Sequence, residues 1–437
     1  MYSKSKKQFK ENQKYLAGGV SSHFRMIYHP VPLTYKSAKG SKLKDIDGNT
    51  YIDYALAAGP IVLGHAPTKV LNAVKNSLSK GQLYYGQHET EIKLAKKITE
   101  IIACAERVRF ASTGSEAVHA AIRLSRGHTG KKLILKFHGQ YHGWFDNQMV
   151  GINPITKKNK VYNSYGTKME SIGQIPSSAE DIISIPWNDI NEFKKIIEKY
   201  TDDLAAVIME PIMCNTCVIL PKKNYLKEVR KICTKNKIIL IFDEVITGFR
   251  IKLGGAQEYL KVTPDLSIFA KGIASGFSLS CLVGKKKIMD SLSFDKVIHG
   301  GTYNSAVINT VAALKTIEII ESQKNNFYKR LENIRKKLSI EFYKIAKKKN
   351  IDINIQGVGS IFHISFTKKN ILINHKDYLE TDLKASQKFI RAMQDNKVRI
   401  TGRGTWFISF AHTNTDIKNT IKSFSKSLDQ LNNQVAK

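Results

Sequence analysis

No run of eighteen apolar residues occurs anywhere in the 437 residues. A hydrophobic helix long enough to cross a bilayer is therefore not expected. Cysteine is scarce. The five present are an odd number without framework spacing, which argues against a disulfide-stapled secreted fold and for a reducing, cytoplasmic compartment. Residues 1–14 are basic but lack the apolar centre of a secretory leader. Acidic residues are outnumbered, 37 Asp+Glu against 69 Lys+Arg, for a net charge of +32. Such a field favours acidic partners, nucleic acid among them. The lysines are spread along the whole chain, however, in short clusters such as Lys285-Lys286-Lys287, and no aromatic residues interleave with them as in a nucleic-acid-binding module. Anionic small molecules are the better-matched partners. Cys214-Asn215-Thr216-Cys217 has metal or redox spacing, but there is no second pair and no histidine cluster, so no metal is expected. No internal repeat is visible.

The length exceeds what one ordinary core holds. We divide the chain into an N-terminal segment, 1–60, a large domain, 61–310, and a C-terminal small domain, 311–437. In the first, residues 42–53 alternate about Asp47-Gly48-Asn49, a hairpin signal. A helix over 68–79 follows, with Pro67 at its start. From about 90 to 300, helices expected over 89–104, 115–126, 188–199 and 224–236 alternate with strands over 108–111, 132–137, 205–209, 238–242, 266–269 and 280–283. Apolar strands alternating with helices give an α/β fold, a mainly parallel sheet covered on both faces. Ligands of such sheets sit at the carboxyl ends of the strands. Residues 151–180 show little periodicity, and a loop of that length reads as an active-site flap. One long helix is expected from 311 onward to 346. Strands at 358–366, 399–400 and 407–410 and a helix from 416 follow, making a smaller α+β lobe from the two ends of the chain.

Chemistry collects where the apolar strands stop. Ile238-Ile239-Leu240-Ile241-Phe242 ends at Asp243, and 28 residues later Phe269-Ala270-Lys271-Gly272 follows another apolar stretch. An acid placed to meet a pyridinium nitrogen and a lysine placed to form a Schiff base are the parts a pyridoxal-phosphate (PLP) enzyme needs most. A lysine desolvated at a strand end becomes a usable nucleophile and, once displaced, a general base. Phe110-Ala111-Ser112-Thr113-Gly114-Ser115-Glu116 runs from strand to helix. It reads either as a phosphate cradle, with amides at the helix N-terminus, or as a well-capped helix with Ser115 as N-cap. Tyr141, in Tyr141-His142-Gly143, has the place to stack on a ring; His142 assists it or fills a turn.

In combination these motifs resemble class III aminotransferases of PLP fold type I, from Gly18-Gly19-Val20 to His412. Within that family the chain is most similar to the glutamate-1-semialdehyde 2,1-aminomutase-like subgroup. Glu210-Pro211, Asp243-Glu244-Val245-Ile246-Thr247-Gly248-Phe249-Arg250, Ala270-Lys271-Gly272 and Gly301-Thr302 carry the resemblance with the motifs above. It implies PLP as cofactor, Lys271 as the Schiff-base lysine, Asp243 as the pyridinium partner and Tyr141 as the stacking aromatic. Ser112, Thr113, Gly114 and Ser115 fall to the phosphate loop, and His142, Glu210 and Asn215 to the cofactor's surroundings. Thr302 is implied to reach the phosphate of a neighbouring subunit, hence a homodimer with shared sites. Arg25 is implied to hold a substrate carboxylate, and Arg403, in Gly402-Arg403-Gly404, is a second candidate.

The chain departs from the aminomutase pattern in the pocket walls. Ala58 replaces a tryptophan before Gly59-Pro60, His138 stands where an acid is usual, and Trp144 replaces a histidine. These changes favour an aminotransferase that moves an amino group between a carboxylate-bearing amino acid and a keto acid. The position of the amine relative to the carboxylate stays open. The aminomutase, moving the amine within one molecule, is the alternative. A non-catalytic basic protein that binds nucleic acid or regulates is the rival from another class, and intact Lys271 and Asp243 argue against it.

Overall fold

The structure is a computed structural model, and it describes residues 1–26, 30–152 and 163–435. The chain forms two compact units, one of residues 69–324 with 372–378, the other of residues 1–68, 325–371 and 379–437.

The larger unit is built on a seven-stranded sheet. Its order is Arg107–Ala111, Ser280–Gly284, Leu266–Phe269, Ile239–Asp243, Leu204–Met209, Leu133–Phe137, Ile182–Ile185. Ser280–Gly284 runs antiparallel to both neighbours, and the other pairs are parallel. Side chains alternate between two cores, as a strand's period of two requires. Ile134, Ile208, Ile241 and Ile268 face the helix Gly114–Thr129 through Ala117, Ala121 and Leu124. Leu133, Leu135, Val207, Leu240 and Phe242 pack instead with Phe193, Ile197, Leu226 and Val229 of the helices Ile190–Tyr200 and Tyr225–Lys235. Because both faces are covered, the central strands are mainly apolar up to where they emerge.

The smaller unit holds a four-stranded sheet, Tyr35–Lys39, Lys42–Asp45, Thr50–Asp53 and Val398–Arg399, and an antiparallel three-stranded one, Ile353–Val358, Ile361–Phe366 and Thr405–Phe407. The expected hairpin forms, with Asp45 accepting from the Asn49 amide (2.7 Å) and the Tyr51 hydroxyl (2.7 Å). The fold is thus the α/β arrangement expected, a large parallel-rich sheet with an α+β unit drawn from both chain ends.

Three local expectations change. The long helix is two, Val307–Ser322 and Asn326–Lys348. Lys324 between them adopts a positive φ of 48°, which no helix continues through. The strand expected at 358–366 is the pair Ile353–Val358 and Ile361–Phe366, turning at Gly359 with φ 53°. Of the expected flap, 153–162 lie outside the described residues. The rest is tied down locally: Gly151 N donates to Lys168 O (2.8 Å) and Gln174 Nε2 to Asp146 O (3.0 Å) and Met149 O (2.9 Å).

Candidate active site

A cavity of about 270 Å³ opens at the carboxyl ends of the parallel strands. Five strand ends contribute. Arg107–Ala111 leads to Thr113, Gly114 and Ser115; Leu133–Phe137 leads to Tyr141, His142, Gly143 and Trp144; Leu204–Met209 leads to Glu210 and Asn215. Ile239–Asp243 ends on Asp243, and Leu266–Phe269 leads to Lys271.

Asp243 is buried, with its Oδ2 accepting from His142 Nδ1 at 2.7 Å and its Oδ1 from Val245 N at 3.0 Å. Burial pushes the His142 imidazole below its ordinary range, outweighing the pull of Asp243. The ring is then neutral, with Nδ1–H donating to the carboxylate. The opposite nitrogen, Nε2, is buried and has no hydrogen-bond partner among the described residues.

The helix Gly114–Thr129 begins in a full capping box. Thr113 Oγ1 accepts from Glu116 N (3.3 Å), and Glu116 Oε2 accepts from the amides of Ser112 (2.9 Å) and Thr113 (2.8 Å). The N-cap is therefore Thr113, not Ser115. The two readings of this segment hold together, because Glu116 takes the Ser112 and Thr113 amides and leaves Gly114 and Ser115 at the cavity-facing helix end. Gly143, at φ 128°, lets the second loop close over them. A Cβ there would lie 1.8 Å from Gln148 Oε1 and 2.9 Å from Ser115 Oγ.

Glu210 is an organiser. Its Oε1 accepts from Tyr141 N (3.0 Å) and Asn215 Nδ2 (2.9 Å), and its Oε2 from the amides of Cys214 (2.8 Å) and Asn215 (3.1 Å). Burial, with Asp243 nearby, pushes its carboxyl up to about 7. Gln140 locks the same point, taking the Glu210 amide on Oε1 (2.8 Å) and giving Nε2 to its carbonyl (3.3 Å). Lys271 sits at φ 47°, a left-handed conformation costly for a residue with a side chain. Strain of that kind concentrates at functional positions.

The structure thus gathers Thr113, Gly114, Ser115, Tyr141, His142, Glu210, Asn215, Asp243 and Lys271 around one cavity. It does not bring Ser112 to the wall; that residue's carbonyl accepts from Ser278 Oγ at 2.9 Å. Thr302 belongs to the same unit but is exposed and away from the cavity lining. Arg25 and Arg403 belong to the other unit, where the Arg403 guanidinium lies 4.9 Å from the centre of the Phe24 ring. Sequence reasoning missed the apolar wall of Ile212, Val245 and Ile246, and the bracing by Gln140, whose only signal was its place beside Tyr141. Cys214 and Cys217 are both buried, and no metal-ligand cluster exists among the described residues.

Residues 24–431 match the model of the aminotransferase class-III family. The chain belongs to the class-III aminotransferase family. Within it, it falls in the glutamate-1-semialdehyde 2,1-aminomutase-like subgroup. A glutamate-1-semialdehyde 2,1-aminomutase of Methanocaldococcus jannaschii is 39% identical over 425 residues, 96% of each chain. Among solved structures, an omega-transaminase from Sphaerobacter thermophilus superposes with a TM-score of 0.90 at 26% identity, covering 98% of both chains. A glutamate-1-semialdehyde aminomutase from Pseudomonas aeruginosa in complex with PMP shares the fold, with a TM-score of 0.87 at 18% identity over 98% of this chain and 94% of that one. PLP is the cofactor of this family. The residues present fit it: a cavity-facing helix N-terminus for an anion, a buried carboxylate with lone pairs to spare, a buried imidazole nitrogen without a partner, and a strained lysine, all on one cavity.

Proposed function

We propose that this enzyme uses pyridoxal phosphate to move an amino group within one carboxylate-bearing molecule, as the name of its full-length relatives describes. The observation that carries the cofactor reading is the convergence of Asp243, Lys271 and the Gly114–Ser115 helix end on one cavity. Support for the intramolecular reaction is the 39% identity to an aminomutase over nearly the whole chain.

Bound there, the cofactor supplies an aldehyde that takes up an amino group and a ring that accepts electrons from a breaking C–H bond. The Gly114 and Ser115 amides, with the Thr113 hydroxyl, would hold the phosphate. Tyr141 would pack against the ring, and Asn215 would border it. Asp243, its two oxygens held by the donors of His142 and Val245, is the acid that would face the ring nitrogen and keep its proton in place. Lys271 Nζ is the amine that would hold the cofactor through its aldehyde. When free, the same Nζ would be the base that takes a proton from one carbon and gives it to another. Arg25 or Arg403 anchors the substrate carboxylate.

A homodimer is part of this reading. Thr302 lies in an exposed stretch beside exposed Phe294, Ile298 and Tyr303, which suits a surface covered by a second copy. An active, cofactor-saturated monomer in sedimentation would count against it. Five cysteines, all buried, suit a reducing, cytoplasmic compartment, and among the described residues no helix is long and apolar enough to cross a membrane.

A second reading, transfer between two molecules, is favoured by Ala58 and by Trp144, which lines the cavity while 66% exposed. One experiment separates the two. Glutamate 1-semialdehyde given alone, with no keto acid, should be rearranged catalytically to the isomer with the amine on the neighbouring carbon. Turnover that stops at one equivalent and resumes only with a keto acid establishes the second reading.

A further inference from the structure

One buried charge has no part in the chemistry above. Lys136 lies in the strand Leu133–Phe137 and is 2% exposed. Its ammonium has no carboxylate within ion-pair distance among the described residues. Nζ donates instead to three backbone carbonyls, Val150 O at 2.6 Å, Gln140 O at 3.3 Å and Gln148 O at 3.3 Å. An ammonium has three N–H donors and no acceptor, so three carbonyls use it fully. Burying such a charge is costly unless it is bonded in this way.

All three carbonyls lie on one excursion, which leaves the strand after Phe137 and returns near Gly151. It carries Tyr141, His142, Gly143 and Trp144 to the cavity. The two glutamines whose carbonyls bind Lys136 also reach the other strand ends with their side chains. Gln140 clamps the backbone of Glu210, and Gln148 Nε2 donates to Ser115 O at 3.1 Å. One ammonium therefore fixes the backbone at both points from which the excursion braces its neighbours. A methionine of similar length would fill the space but leave three buried carbonyls without a donor.

We propose that Lys136 is a positioning residue, an internal cation that holds the 138–151 excursion, and with it Tyr141 and His142, in the arrangement that receives the cofactor. The excursion's order is a claim about the apoprotein; only its use rests on the cofactor reading above. Burial pushes the ammonium down to about 8, against the pull of Glu170, Glu210 and Asp243. His138 and His142 are the other titratable groups that feel this charge. At neutral pH the clamp is charged, and above about pH 8 it loses a donor.

The test compares wild type with Lys136→Met by hydrogen exchange of the apoprotein, pyridoxal phosphate titration and visible circular dichroism. Expected is at least tenfold faster exchange in 138–151, with Leu204–Met209 and Ile239–Asp243 unchanged, at least tenfold weaker cofactor binding, and altered dichroism of the fraction bound. Unchanged exchange and affinity overturn the proposal, as does uniformly faster exchange through all three segments, which marks a merely structural lysine. Should the variant not fold, wild type at pH 7 and at pH 9.5 serves instead. Corrected for intrinsic rates, 138–151 should open at least tenfold more at the higher pH; equal protection overturns the proposal. A wild-type protein that takes up no pyridoxal phosphate at all defeats the cofactor reading alone, and the exchange data still decide the clamp.

Discussion

Replacing Asp243 by asparagine keeps the shape of the side chain and removes its charge. In the folded protein the carboxylate accepts from His142 Nδ1 at 2.7 Å, and both side chains are buried. The variant retains one carbonyl oxygen, which takes the Val245 amide or the His142 proton but not all of what Asp243 holds. Charge-assisted hydrogen bonds are roughly twice as strong as neutral ones, and each contributes about 1.5–3 kcal/mol. Weakening two of them, to His142 and to the cofactor's ring nitrogen, by about 1.5 kcal/mol each gives about 3 kcal/mol. At 1.36 kcal/mol per decade that is on the order of a hundredfold in rate. The loss falls on proton removal, because that step needs the ring as an electron sink. We expect Asp243→Asn to bind pyridoxal phosphate and to slow exchange of the substrate's abstracted hydrogen with solvent by about that factor in single turnover. Exchange within about threefold of wild type would refute the role, since that is far below the loss of about 3 kcal/mol expected from weakening both bonds.

Three further outcomes follow from the same geometry. Borohydride reduction of the holoenzyme should place the cofactor label on Lys271, and a label mapped to another lysine removes it from its role. Arg25→Ala and Arg403→Ala, assayed on an amino acid and on its decarboxylated analogue, should show a loss of about ten- to a hundredfold on the amino acid only, for whichever arginine anchors the carboxylate; equal loss on both substrates marks a structural arginine. Glu210 is raised from its usual 4.5 to about 7 by burial and by Asp243. It binds its proton more tightly folded than unfolded, so its stabilising share is full below pH 4.5 and lost as the pH rises through 7. The melting temperature of Glu210→Gln should therefore change less between about pH 5 and pH 7.5 than that of wild type, and parallel curves would speak against a perturbed Glu210.

What was legible in the chain and what was not divide along physical lines. Asp243 and Lys271 stood out because strands buried on both faces are mainly apolar, so a charge at the end of one is conspicuous. Helices with strong amphipathic patterns, such as Gly114–Thr129 and Tyr225–Lys235, were legible for a similar reason. Ile182–Ile185 was not; it is four residues at the sheet edge, beside a stretch without periodicity. The break at Lys324 left no trace, since no glycine or proline marks it. Lys136 was invisible as a site residue because its partners are carbonyl oxygens, which every residue has. Nor did anything in the order of residues say that Phe24 lies beneath Arg403, because that contact joins the two ends of the chain.

The two ends of one strand show why the carboxyl side is the working side. Near the amino end of Ile239–Asp243, Asp265 takes the Leu240 amide at 2.9 Å and pairs with both Arg230 (2.7 Å) and Lys285. Burial pushes its carboxyl up, but those three donors outweigh it and hold it below the usual range. That cluster is charge-matched, and nothing in it waits for a ligand. At the carboxyl end the charges are not matched. Glu210 is bonded by amides and Asn215, Lys136 by carbonyls, and Asp243 by a neutral imidazole and an amide. Groups held by dipoles instead of counter-charges keep their fields, and their proton affinities are displaced by burial: Glu210 upward, Lys136 and His142 downward. Such displacement, with Glu210 and His142 on the cavity wall and Lys136 behind it, fits a site built for chemistry. A ligand that brings its own charges binds the folded state alone and is stabilising by about 2.7 kcal/mol at a hundred times its Kd. The same sheet therefore spends full ion pairing where it needs only to be stable, and withholds it where a cofactor is to complete the set.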